Sequence, residues 1–264
     1  MSTLNGNIRV IIVSGLVLVA AAAARTPPPA VALDEITVVP RGNQWSLIPP
    51  EALPALQQIV KLTPKQRDAL VQSEDARRRG IGLFVAEQQG DVAFLLSLSH
   101  LLDDRTPTVP YARPVAHDGG YAHADQTVAD YLSSIYAEWF GVDVDKSRKR
   151  FDKLIGRVAE PRHLVRPWIV RLRRAGENEE KTVALKAQVA DLPEEVRWAV
   201  LTLGYKNSLY SPTEAHAALN SLSAHTRDAL HGRQDLLPDE PLFRVNDGLF
   251  RKTLLTDCRR LLNG

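Results

Sequence analysis

The chain has 264 residues, with 33 Lys and Arg against 31 Asp and Glu, and one cysteine. A formal charge of +2 argues against a dedicated nucleic-acid binder, which carries a clearly basic domain. A lone Cys258 rules out an internal disulfide, so core burial alone must hold the fold, and a chain of this length buries enough surface to do it.

Taken in chain order, residues 1–24 come first. Arg9, the apolar run Val10 to Val19 and the small-residue exit Ala20 to Ala24 have the pattern of an export signal. The run is shorter than the ~20 residues of a comfortable membrane span, and Ser14 and Gly15 weaken it further. Cleavage after Ala24 is expected. That places the mature chain in a periplasm or outside the cell, with no transmembrane segment; an uncleaved signal anchoring the chain to a membrane is the alternative. Residues 25–49 read as a linker containing Pro27-Pro28-Pro29, then two β-prone stretches, Ile36 to Val39 and Trp45 to Ile48. Arg41-Gly42-Asn43 between them predicts a short N-terminal β-hairpin.

Residues 50–264 carry helix signals. Thr63-Pro64-Lys65-Gln66 and Ser211-Pro212-Thr213-Glu214 are capping boxes with Pro at the first helical position. In each, the hydroxyl accepts from an exposed backbone N–H while the Gln or Glu side chain reaches back. Apolar stripes of period 3.6 follow along the chain: Val92, Leu95, Leu96, Ser99 and Leu102; Val128, Leu132, Ile135 and Trp139, with Gly141 as a stop; Phe151, Leu154, Ile155 and Val158. Val196, Val200 and Leu203, then Ala215, Leu219 and Leu222, then Phe250, Leu254, Cys258 and Leu261 continue the pattern. Each stripe must bury against a neighbour, so the expected fold is all-α, a compact bundle of helix packed on helix.

Within it, Glu74-Asp75-Ala76-Arg77 is followed by Leu83 and Ala86, by Gly90-Asp91, and by Leu95, Leu98 and Leu101-Leu102-Asp103-Asp104. This segment, 73–104, resembles one HEAT repeat: a first helix with an early Arg, a tight Gly-Asp turn, and a Leu-rich second helix ending in acids. A less complete copy spans 193–225, from Glu194-Glu195-Val196-Arg197 onward, with Tyr205 to Pro212 in place of the Gly-Asp turn. A long solenoid needs about three or more stacked units, so HEAT-like helix pairs inside a bundle are expected instead. The resemblance implies binding of a protein or ligand on a helical face, with no intrinsic catalysis.

Two stretches carry candidate chemistry. Residues Arg105 to Asp125 lack helical spacing and read as an irregular loop. It contains His117-Asp118-Gly119-Gly120-Tyr121-Ala122-His123-Ala124-Asp125. His117, Asp118, His123 and Asp125 offer the nitrogen and oxygen donors that zinc accepts, and a metal-dependent hydrolase is the alternative function. The competing reading is a polar loop in which Asp125 or Thr127 caps the next helix. The second stretch, Lys146 to Arg174, holds eleven Lys and Arg against Asp152 and Glu160. Such an excess makes a positive field that attracts anions. Arg148, Arg150, Arg157, Arg162 and Arg166 are the candidate contacts for an anionic envelope component or an acidic protein, and solvated helix faces are the competing reading. Cys258 lies on an apolar stripe and reads as packing. The sequence shows no Gly-x-Ser-x-Gly elbow, phosphate loop, His-Glu-x-x-His or haem-attachment Cys pair. The expectation is therefore a non-catalytic binding or scaffolding module without cofactor.

Overall fold

Three side chains with a reciprocal partner three residues on set helix starts. The Gln66 N–H donates to Thr63 Oγ1 at 3.3 Å while Gln66 Oε1 accepts from the Thr63 N–H at 2.9 Å. Ser211 and Glu214 repeat the exchange at 3.2 and 2.7 Å. Thr127 and Asp130 form a third box at 3.1 and 3.0 Å. In a computed structural model, residues 33–42, 44–115, 121–156, 161–176, 178–232 and 247–263 are described. The helices they form are α1 (Leu53–Ile59), α2 (Pro64–Val71), α3 (Ala76–Gln89), α4 (Val92–Ser97), α5 (Val128–Phe140) and α6 (Val144–Ile155). After these come α7 (Val165–Ala175), α8 (Glu179–Ala190), α9 (Glu194–Lys206), α10 (Pro212–Asn220), α11 (Ala224–His231) and α12 (Asp247–Leu262). The fold is mostly helical, with one two-stranded sheet among the described residues, β1 (Tyr111–Pro114) and β2 (Tyr121–Ala124). Among the described residues no helix is long and apolar enough to cross a membrane.

Helix α5 forms one centre of packing. Its stripe Val128, Leu132, Ile135 and Trp139 is at most 1% exposed, and Tyr131 and Tyr136 are fully buried beside it. It packs on α3, α6, α7 and the 3-10 turn Leu98–Asp103. The second centre joins α7, α9, α10 and α12 through Trp168, Ile169, Leu172, Val196, Val200, Leu219, Leu254 and Cys258. Helix α7 belongs to both. Between α3 and α4 the chain turns at Gly90, whose φ of +64° ends α3 in the left-handed region. A Cβ there would also lie 2.9 Å from Trp139 Cη2. Asp91 then caps α4, its Oδ1 accepting from the Phe94 N–H at 3.1 Å.

Three expectations are corrected. The stripe from Val92 to Leu102 is not one helix, because α4 ends at Ser97 and tightens into the 3-10 turn. The hairpin expected over 36–48 is not formed: Trp45–Leu47 is a 3-10 turn. Val39 instead makes a parallel bridge to Tyr111, its N–H donating to the Pro110 carbonyl at 3.0 Å and its carbonyl accepting from the Ala112 N–H at 3.1 Å. The cause is burial. Ile36, Val38 and Val39 are at most 1% exposed, whereas an isolated two-stranded hairpin leaves a face in water and is marginal. The antiparallel hairpin sits instead in the segment read as an irregular loop, with Tyr111 opposite Ala124 and Pro114 opposite Tyr121.

Candidate binding surface

The basic run from 146 to 174 divides at Leu164. Beyond it, the α7 arginines turn toward the ends of other helices. The final carbonyls of a helix have no partner within it and carry its negative end, so cations settle there. Arg166 donates Nε to the Glu138 carbonyl at 2.6 Å and Nη2 to the Ala137 carbonyl at 3.4 Å, in the last turn of α5. Arg171 donates Nη2 to the Gly90 carbonyl at 2.6 Å, just past α3. Arg174 donates Nη1 to the Glu87 carbonyl at 3.2 Å, and its Nη2 lies 2.6 Å from Glu87 Oε1 and 3.0 Å from Glu138 Oε2.

Glu87 is 1% exposed. Burial pushes its carboxyl above the usual value, partly offset by the charge and hydrogen bond of Arg174. The Tyr131 hydroxyl donates to Glu87 Oε2 at 3.1 Å, and burial together with the neighbouring Glu87 charge lifts that phenol well above its ordinary range. Burial works against the Arg174 charge, but the two carboxylates outweigh it and hold the guanidinium above its usual value. Its guanidinium also lies 5.1 Å from the Trp139 ring centroid. This cluster ties α3, α5 and α7 together. The sequence reading missed Glu87. The available signal was one acid following the otherwise apolar or small run Gly80 to Ala86.

Before Leu164 the two cations whose side chains are described, Arg148 and Lys149, are arranged differently. Residues 144–163 hold seven Lys and Arg against three Asp and Glu. Helix α6 is anchored by buried Val144 and Phe151, the latter stacked on Tyr136 with ring centroids 4.4 Å apart. Lys149 is exposed. Arg148 is 39% exposed and makes open ion pairs with Asp152 at 3.3 Å and Asp103 at 3.5 Å. Arg150 lies on α6 and Arg162 on the 3-10 turn Pro161–His163; their side chains, and all of Arg157, lie outside the described residues.

Where the two halves meet, a cleft of about 320 Å³ opens between α4 and α7. Val92, Ala93, Pro161, Pro167 and Trp168 line it, with Asp91 and Arg171. Arg171 lies 5.0 Å from the Trp168 ring centroid. Burial holds its guanidinium below the usual arginine value, with the Asp91 charge acting the other way.

Of the loop residues, His123 lies on β2 opposite Ala112 and is exposed, as is Asp125 just beyond the strand. His117 and Asp118 lie outside the described residues. Among the described residues no group of three or more His, Cys, Asp or Glu is placed to hold a metal. Thr127, not Asp125, caps α5. Cys258 is fully buried, and burial pushes its thiol up to about 11, so it is protonated at neutral pH. Comparison with protein-family models, with curated proteins and with solved structures finds no match to the chain.

Proposed function

We propose that this chain is an exported, non-catalytic helical binding or scaffolding module that meets a protein or other anionic envelope component through the basic stretch 144–163. The leader-like run of residues 10–24 supports export, and the HEAT-like pairs α3–α4 and α9–α10 support a role in presenting helical faces. The observation that carries the reading is the division of the basic run. The α7 arginines hold helix ends and a buried carboxylate, and that accounts for Arg166 within the fold. The preceding stretch keeps seven cations against three acids, five of those cations on α6, which is anchored by two buried apolar side chains. Arg148, Arg150, Arg157 and Arg162 are the contacts of this reading.

A local excess of that size attracts anions over about a Debye length, roughly 10 Å at 0.1 M salt. The test is capture of envelope extract by the full chain and by a variant with Arg150, Arg157 and Arg162 changed to Glu. The reading expects capture that weakens with salt and is lost in the variant. Equal capture by both, with the same salt response, overturns it.

A further inference from the structure

The cleft between α4 and α7 holds one charge of each sign, and neither is cancelled within it. Buried Arg67 faces two carboxylates, Asp68 at 2.9 Å and Asp91 at 3.1 Å. One guanidinium against two carboxylates leaves a negative charge over, and Asp91, whose side chain is 41% exposed, lines the cleft. Its Oδ1 accepts from the Phe94 N–H and its Oδ2 from Arg67 Nη1, which fills two of the roughly four acceptor sites of a carboxylate. Arg171 is the counterpart. It donates to the Gly90 carbonyl at 2.6 Å, a neutral acceptor, and among the described residues it makes no ion pair. A guanidinium has five N–H donors in a planar fork, so most of them remain. Gly90 is bonded to Asp91, so the two charges stand close together, and the Asp91 charge acts on Arg171 without closing a pair with it. Val92, Pro161, Pro167 and Trp168 make the walls apolar. At about 320 Å³ the cleft stands at the small end of ligand pockets, roughly 300 to 1,000 Å³.

We propose that this cleft binds a free α-amino acid with an apolar side chain, its carboxylate in the fork of Arg171, its ammonium on Asp91 and its side chain against Trp168 and the two prolines. The charges select this class by elimination. A carboxylate alone meets the Asp91 charge, and an ammonium alone meets Arg171. An uncharged apolar group takes water from both and gives no hydrogen bond in exchange. An α-amino acid carries both charges on one carbon, which matches a cation and an anion held close together but unpaired, and Arg is suited to a carboxylate in forked geometry. The proposal does not rest on the basic stretch.

The probes are L-leucine, N-acetyl-L-leucine, which lacks the ammonium, and L-leucinamide, which lacks the carboxylate. Each is titrated into the full chain at low salt by isothermal titration calorimetry. L-Leucine is expected to bind about tenfold more tightly than either blocked form, since each loses one charge-assisted hydrogen bond. It is expected to bind about tenfold more tightly than glycine, which has no side chain to bury. Asp91→Asn keeps a residue able to cap α4 and removes the charge, so it is expected to remove the advantage of L-leucine over N-acetyl-L-leucine. Ala93→Phe fills the cleft from an exposed position and is expected to abolish L-leucine binding. No binding of L-leucine at millimolar concentration overturns the proposal, as does equal binding of L-leucine and either blocked form. Equal binding of glycine overturns the apolar side chain, and L-leucine binding that survives Ala93→Phe overturns the cleft. If a variant fails to fold, the ligand series on the unaltered chain decides alone.

Discussion

Helices α6 and α7 come from one basic run and place their described charges in different surroundings. Helix α7 is shared by two packing centres, with Trp168, Ile169 and Leu172 buried, and three of its arginines, Arg166, Arg171 and Arg174, reach the C-terminal ends of α3 and α5. Helix α6 packs on α5, with Phe151 stacked on Tyr136, and its described cations, Arg148 and Lys149, stand at the solvent side. The charge density of a stretch therefore does not tell its role. What decides is whether the helix that carries it lies between two layers or on the outside of one.

Breaking the buried side of this comparison has the largest expected effect. Arg174→Met leaves Glu87 buried without its cation and is expected to cost about 3–5 kcal/mol in urea unfolding. Adding Glu87→Gln recovers part of that cost, because the uncompensated charge is gone. A loss below about 1 kcal/mol in the single variant sets the pair aside as a structural tie. Arg166→Ala removes the donor to the Glu138 and Ala137 carbonyls and is expected to cost about 1.5 kcal/mol.

A pH series sharpens the same contrast with two acids of opposite sign. Glu194 is held down to about 2, first by the Ser223 and Thr226 hydroxyls, which donate to its carboxylate. Its contribution is present above the ordinary carboxylate value and is lost as pH falls toward 2. Glu87 is raised by burial, so its contribution is present below the ordinary value and declines as pH rises through its folded value. Urea midpoints measured from acid to neutral pH are expected to show a flatter acid limb in Glu194→Gln. In Glu87→Gln they show a shallower decline on the upper side; unchanged limbs contradict these assignments. The smallest effect belongs to the outer side. Arg148→Ala removes only open ion pairs and is expected to shift stability by no more than about 0.5 kcal/mol.

What the sequence makes legible here is local. The boxes at Thr63 and Ser211 and the α5 stripe are read correctly because each depends on residues within one or a few turns. Thr127 escapes the simple pattern because its reciprocal partner is Asp130, one methylene shorter than the usual Glu or Gln. The β-prone stretch Ile36 to Val39 misleads because its branched residues serve burial and a single bridge, not a neighbouring strand. The inward arginines are the least legible part. Arg174 and Glu87 are 87 positions apart, Arg171 and Gly90 are 81 apart, and no periodicity in either segment announces the other. The basic run is visible as charge, and its division appears only once α7 is seen between two layers.

The central claim is that the outer cations bind and the inner ones build. Its most direct test is a paired measurement on the variant carrying Arg150→Glu, Arg157→Glu and Arg162→Glu: its urea midpoint, and its affinity for poly-L-glutamate across a salt series. The account predicts a midpoint matching the unaltered chain, with affinity and its salt dependence both lost. Undiminished affinity at the same midpoint, or a collapse in stability, contradicts it.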